Sequence, residues 1–488
     1  MRSSVVRKMA VRAARTGFAI LFAAMLNGVA QADNSALPHN IQSVLTLRQL
    51  PPESLSIYAA DVDTGEVLLR WREGEAQNPA STIKLLTTLV ALDILGPSFR
   101  WKTDVYLRGE VQGDTLDGDL LIKGYGDPFL VTERVWQLLR AIQRMGIREI
   151  TGDLLIDDSY FSVGDYDPGE FDRQPLRAYN VAPNALLMNF KVVRYWFEPG
   201  QDGKGVTVTL DPSLDNLRVF NRLGLAVGGC RGYQRGITIS SNEAVDEVTF
   251  SGKFPDGCKR YAMDRAALSH NDFAYGLFKT LWRQLGGRFD GGWRNVDAGT
   301  IIPDDVGPFL SFDSLSLSEM IARVNKHSNN VMARQLVYTL SAEVNGPPGT
   351  EEGGRDVIAQ WLTDNDLESC KCAIENGAGL SRDSRIAAMD MVSLLRFAWR
   401  QPYMPEYLAS MSISGLDGTL RRRFKASPLI GKAHLKTGSM DHVAAIAGYL
   451  QSRSGRRFAV VAMQNHTDVH RGPGEEVQEA LLRWLYEQ

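Results

Sequence analysis

The sequence predicts an α/β fold of the α+β kind, in which an antiparallel sheet packs with helices and carries inserted β-rich domains. Three features predict it. An apolar helical run opens at Ser81 and continues to Leu95. From about residue 100 to 260 the texture changes to short strands punctuated by glycine and aspartate, as in "TLDGDLLIKG" and "ITGDLLIDDSYF". Beyond residue 430 the runs "AHLKTGSM", "HVAAIAGYLQS" and "RFAVVAMQN" follow one another with only short polar links. Such links suit antiparallel neighbours.

Each element has a local reason. "LSIYAADVDTGEVLLR" (55–70) alternates as two strands about the turn Asp63-Thr64-Gly65. In the helix that follows, Ile83, Leu85, Leu86, Leu89, Val90, Leu92 and Ile94 surround most of the cylinder. A helix apolar on nearly all sides belongs inside a core, and Gly96-Pro97 ends it. The aromatic "NFKVVRYWFEPG" opens a second β-rich stretch, and helical texture resumes at 265–286 and 316–344. In the terminal helix Val477, Leu481, Trp484 and Leu485 share a side, and the opposite face is acidic, so it should pack on the sheet rather than on a membrane. The expected organisation is one discontinuous domain (33–100 and 263–488), an inserted β-rich domain (101–184) and a smaller nested one (185–262). A chain of 488 residues is long enough for several cores.

Residues 1–32 stand apart. Arg2, Arg7, Lys8, Arg12 and Arg15 precede the apolar "GFAILFAAML", and Ala30-Gln31-Ala32 follows. This is the pattern of a cleavable secretory signal, which directs the chain to the periplasm. No later stretch has the length of a membrane span. Removing the five basic residues takes the net charge from −3 to −8, which excludes a typical nucleic-acid binder. Cys230, Cys258, Cys370 and Cys372 would meet an oxidising compartment. Cys230 and Cys258 each sit by a turn signal and could pair; Cys370 and Cys372 could close only a tight loop. Structural disulfides or free thiols are both compatible with this spacing.

The chemistry begins at Ser81-Thr82-Ile83-Lys84. A serine hydroxyl attacks only when a base takes its proton. A lysine at i+3 shares the serine's helix face and serves as that base only when burial or nearby positive charge keeps it neutral. Alone, the quartet equally describes a helix cap and a surface lysine. Two further motifs change the balance: Ser328-Asn329-Asn330 at a helix start or inter-helix turn, and Lys436-Thr437-Gly438 on a strand, where Gly438 lets another backbone approach. S-x-x-K, S-x-N and K-T-G in this order mark active-site-serine penicillin-recognising enzymes.

With these motifs, and with "NPASTIKLLTTLVALDILGP", "LLIKGYGDPFL", "AYNVAPNAL", "NGAGLSR" and "GLDGTLRRRF", the sequence resembles the low-molecular-mass penicillin-binding D-alanyl-D-alanine carboxypeptidases/endopeptidases over most of 55–465. Residues 85–327 separate Lys84 from Ser328, as in the subgroup with large insertions after the first motif. The resemblance implies a transpeptidase/β-lactamase-like catalytic domain and an acyl-enzyme on Ser81. It also implies that Lys84 is the base and that Ser328, helped by Lys436 and positioned by Asn330, relays a proton to the leaving amine. Thr437 and Ser439 would hold the terminal carboxylate, and the N–H groups of Ser81 and Ser439 the oxyanion. By the same resemblance Arg382 would meet a carboxylate of the substrate's diamino acid and Asp172 its amino group, although Asp172 could equally form an ordinary surface ion pair. The implied partners are peptidoglycan peptides, with β-lactams as covalent inhibitors. No metal or organic cofactor is called for: Gly124-Tyr125-Gly126 lacks a third glycine, and "HTDVH" lacks the glutamate of a zinc-protease helix. A serine β-lactamase and a non-catalytic cell-wall scaffold are the alternatives. The long insertion disfavours the first and the intact motifs the second. Two departures are visible: S-N-N replaces S-D-N, and "NGAG" stands where relatives often carry D-G-S-G.

Overall fold

The computed structural model describes residues 36–201, 205–232, 236–296, 307–367 and 372–488. The expected signal segment and Cys370 lie outside the described residues. The C-terminal runs and the first two strands form one six-stranded antiparallel sheet. Its order is Ser412–Ile413, Ala433–Met440, Val443–Gln451, Arg457–Asn465, Leu55–Asp61, Val67–Trp71. Alternate side chains of its inner strands serve two cores. Ala445, Ala447, Tyr449, Val461 and Met463 join the core built on the apolar helix. Ile446, Leu450, Phe458, Val460 and Ala462 join a core closed by the helices His39–Leu47 and Pro473–Tyr486. With both faces covered, these strands read as nearly continuous apolar runs.

The predicted buried helix is Lys84–Leu95, every residue of which is buried from Lys84 through Leu92. It packs among Leu317–Lys326, Asn330–Asn345 and Ala388–Trp399. Its first turn differs from expectation. Ala80–Ile83 is a 3-10 turn, and no side chain caps the α-helix that follows. The Ser81 hydroxyl is therefore not engaged as a cap.

The insertion has its own core. A seven-stranded sheet includes the hairpin Lys102–Gln112/Thr115–Gly124, with the parallel strand Leu154–Asp157 beside it. Two three-stranded sheets, one from Val192–Pro199, Val206–Asp211 and Tyr261–Ala266, the other from Arg218–Ala226, Ile237–Ser241 and Glu247–Pro255, pack into the same core. The expected return to the catalytic unit at 263 is not where the packing changes. The helix His270–Gln284 lies in the insertion's core, Trp293–Asn295 pairs with Leu154–Asp157, and Leu310–Asp313 pairs with Lys102–Gln112. Those strands are three and four residues long, too short to show an alternation.

Cys230 and Cys258 form a disulfide with Cα atoms 4.7 Å apart, and Cys372 is also disulfide-bonded. The first bridge closes a chain separation of 28 residues. Replacing both Cys230 and Cys258 with serine should destabilise the β-rich segment by about 2–4 kcal/mol. Thermal unfolding of the oxidised protein and the variant checks this; an unchanged midpoint would contradict it.

Candidate active site

Three backbones converge on Ser81. Asn78 fixes the approach: its N–H donates to Asn465 Oδ1 (2.8 Å), its side-chain amide donates to the carbonyls of Ser381 (2.9 Å) and Arg382 (3.1 Å), and its Oδ1 accepts from Ala80 N–H (2.9 Å). Ala80 then takes a φ of 45°, in the left-handed region that disfavours residues with a Cβ. Gly438 passes so close that a methyl group there would stand 2.5 Å from the Pro79 carbonyl oxygen and 3.0 Å from the Ser81 nitrogen. The close approach expected of the K-T-G glycine is therefore met, and it sets the strand's backbone beside the Ser81 N–H.

Lys84 is wholly buried, at 0% exposure. Its Nζ lies 2.9 Å from Ser81 Oγ and 2.7 Å from Asn330 Oδ1, and it also donates to the Ala378 carbonyl. Burial, then the charges of Lys436 and Arg334, hold its pKa well below the usual amine range. Among the described residues, no carboxylate is a hydrogen-bond partner of Lys84. A neutral amine has two protons and one lone pair. Among its partners only the serine hydroxyl has a proton to offer, because Asn330 Oδ1 and the Ala378 carbonyl can only accept. In the neutral state the lone pair thus faces Ser81, the polarity a general base requires.

Ser328 sits between the helices Leu317–Lys326 and Asn330–Asn345 with a φ of 55°. The next residue, Asn329, caps the second helix by accepting from Met332 N–H at 3.0 Å. This division of labour turns Asn330 toward Lys84. Lys436, also at 0% exposure, donates to Ser328 Oγ (2.8 Å) and to the Thr437 carbonyl (2.7 Å). Burial brings its pKa down to about 7. Thr437 Oγ1 donates to Thr419 Oγ1 at 2.9 Å. The strand Ser412–Ile413 pairs only with His434 and Leu435. Among the described residues, the outer edge of Ala433–Met440 therefore has no strand partner from Lys436 onward, leaving room for an added strand.

Ser81, Ser328, Asn330 and Ser439 line a cleft of about 1090 Å³, together with Arg382, Asp172 and Phe171. The Arg382 guanidinium lies 5.1 Å from the centre of the Phe171 ring. Asp172 forms no ion pair among the described residues. Its carboxylate accepts from Gln174 N–H (3.0 Å), Asn180 Nδ2 (2.9 Å) and the Tyr179 hydroxyl (2.6 Å), which orients it at the cleft wall. The ion-pair alternative for Asp172 is thereby set aside.

Sequence reasoning passed over three contributors. Asn78 lay inside the quoted "NPASTIK", but its partner Asn465 is 387 residues away. The "NGAG" loop, quoted for the resemblance and as a departure from it but given no role, supplies the Ala378 carbonyl. Arg334 is 3% exposed and has no carboxylate partner among the described residues; it donates to the Tyr166 hydroxyl (2.7 Å) and the Val181 carbonyl (3.1 Å). It lies one helical turn beyond Asn330, which is the only signal that could have flagged it.

Fold and site together define a penicillin-recognising serine hydrolase with a large insertion. The model of the D-Ala-D-Ala carboxypeptidase 3 (S13) family matches residues 37–488; the chain belongs to that family and is a serine D-Ala-D-Ala carboxypeptidase of the low-molecular-mass penicillin-binding type. A D-alanyl-D-alanine carboxypeptidase of Actinomadura sp. (strain R39) is 28% identical over 476 residues, covering 92% of this chain and 84% of the relative. The crystal structure of penicillin binding protein 4 from Haemophilus influenzae matches with a TM-score of 0.77 at 22% identity, over 92% of this chain and 100% of that one. The same protein complexed with a β-lactam matches with a TM-score of 0.74 at 21% identity, with the same coverage. These likenesses support the fold.

Replacing Gly438 with alanine should push the strand from Ser81. A misplacement near 1 Å costs on the order of 10²-fold in rate. Labelled-penicillin acylation of the variant, with circular dichroism to confirm folding, checks this; near-normal acylation would show that the close approach is dispensable.

Proposed function

We propose that Ser81 is the nucleophile of a D,D-carboxypeptidase that also cleaves D,D-crosslinks in peptidoglycan peptides, with Lys84 as its base. The observation that carries the reading is the buried, carboxylate-free Lys84, 2.9 Å from Ser81 Oγ. Ser81 attacks the carbonyl of the penultimate D-Ala, and its proton passes to Lys84. The oxyanion is held by the N–H groups of Ser81 and Ser439. Ser328, bonded to Lys436, delivers a proton to the departing amine, and Asn330 orients Lys84. Water then hydrolyses the ester at Ser81. Thr437 and Ser439 receive the terminal carboxylate within the positive field of Lys436. Gly438 lets the substrate backbone lie along the open strand edge. Arg382 and Asp172, on one cleft wall, read a carboxylate and an amino group on the substrate's side chain.

That bacterial relatives are D-alanyl-D-alanine carboxypeptidases supports a role at the cell wall. No helix among the described residues is long and apolar enough to cross a membrane. Export by residues 1–32 to the periplasm fits both. The β-lactam complex of the Haemophilus influenzae protein supports penicillin as a ligand that would acylate Ser81.

Mass spectrometry of the purified protein acting on a crosslinked muropeptide, with and without penicillin, tests the assignment. The expected result is loss of D-Ala, cleavage of the crosslink and a stable adduct on Ser81. Rapid penicillin turnover without an adduct would instead favour a β-lactamase. Replacing Lys84 with alanine should slow acylation by roughly 10²–10⁴-fold; near-normal acylation would remove Lys84 from the mechanism. A pH profile tests Lys436 separately. Its amine is protonated below about 7 and neutral above it. Where the cation is the working form, acylation falls as pH rises through that value. Lys436→Arg, which stays charged, should carry the alkaline limb to higher pH; a limb unmoved by the substitution would show that another group sets it.

A further inference from the structure

The loop that presents Asp172 to the catalytic cleft has a second side. Residues 173–177 form, with the strands Ile237–Ser241 and Tyr261–Ala266, a separate pocket of about 580 Å³. The strand Tyr261–Ala266 serves both cavities by alternation: Asp264 lines the catalytic cleft, whereas Met263 and Arg265 line the second pocket. Gln174 lines both, so the two cavities share a wall.

The second pocket carries Arg173, Arg177 and Arg265. Arg177 and Arg265 stand opposite one another in an isolated antiparallel bridge, a placement in which like charges repel. Among the described residues, none of the three arginines makes an ion pair with a carboxylate. Arg177 donates to Gln174 Oε1 (2.7 Å), and Arg265 donates to the Asp264 carbonyl oxygen (2.8 Å). The Asp264 carboxylate is taken by Arg194, at 2.7 and 2.9 Å. Burial and then the neighbouring Arg177 press against the charge of Arg265, with Tyr261, Asp264 and Tyr179 acting in the opposite sense and the net effect still a lowered pKa. Repulsion held inside a pocket, in a chain whose overall charge is negative, is relieved by an anion. A guanidinium pair fits a carboxylate through paired N–H donors.

The geometry points to an acidic-peptide subsite here: Arg177 and Arg265 receive a carboxylate borne by the peptide substrate at a residue upstream of the scissile bond. The inference rests on reading the adjacent cleft as the peptide site. It goes further by giving the substrate a second anionic anchor, separate from its C-terminus and from the group met by Arg382.

Two peptides ending in D-Ala-D-Ala, identical except for a carboxylate or a carboxamide at one upstream side chain, test it. Labelled-penicillin acylation of the wild type is measured first, so that failure of the catalytic reading is seen on its own. The wild type should prefer the acidic peptide by about tenfold to a hundredfold, mainly through KM, as expected for hydrogen bonds to a charged group. In the Arg177→Gln/Arg265→Gln double variant that preference should fall toward one. A wild type indifferent to the carboxylate would overturn the subsite. So would a preference that survives in the variant, or a loss of equal size for both peptides, which marks a structural role.

Discussion

The site depends on an amine that the fold has taken out of water. Burying an ammonium with no counter-ion costs several kcal/mol, and a protein usually avoids that by discharging the group. Lys84 is placed so that discharge is the favoured outcome. It is enclosed by the apolar helix core, faces acceptors rather than carboxylates, and lies within the field of two further cations. The same arrangement settles the direction of its lone pair, because only Ser81 among its partners has a proton to share. Core packing and chemical polarity are one constraint here: the helix that must be apolar to sit at the centre also buries its first lysine beside the Ser81 hydroxyl.

Holding that geometry takes local strain. Ala80 and Ser328 both occupy the left-handed region, a conformation that costs roughly 1–3 kcal/mol for a residue with a side chain. Each is over-determined by its surroundings. Asn78 bonds Ala80 on one side while tying the Ser381–Arg382 backbone and Asn465 together on the other. Ser328 is confined between two helices, the second capped by its immediate neighbour Asn329, and is bonded to Lys436 from the sheet. The strain lies where three elements meet, so relaxing it would require moving an entire helix or strand.

What could be read in advance follows from the range of each constraint. The Ser81–Lys84 spacing, the inter-helix Ser328 and the glycine of Lys436-Thr437-Gly438 are local requirements, and local requirements leave a pattern of residue types. The apolar helix and the three C-terminal strands were legible for the same reason, since their burial repeats along the chain. Contacts between distant segments leave no such pattern. Asn78 meeting Asn465, the Ala378 carbonyl meeting Lys84, and Arg334 meeting the insertion were all hidden in that way. The 3-10 opening of the helix was also invisible, because the same residues read equally well as an α-helical first turn. The change in packing beyond residue 263 went unseen because the strands that complete the insertion's sheet are too short to alternate.

Arg334 links these two kinds of information. Its guanidinium holds the Tyr166 hydroxyl and the Val181 carbonyl, on either side of the stretch that carries Phe171 and Asp172. Nearby, Gln335 bonds the carbonyls of Gly126 and Asn184, and Gly349 exchanges hydrogen bonds with Tyr160 and Ser162. The insertion is thus seated along the helix that begins with Asn330. The same Arg334 charge helps to depress Lys84. One cation therefore bears on the position of the loop at the cleft wall and on the protonation of Lys84. A shift of that loop away from the helix would leave the Arg334 charge less satisfied and change the field at Lys84. The insertion is in this sense part of the electrostatics at Lys84, although among the described residues it supplies none of the groups in hydrogen-bond contact with that amine.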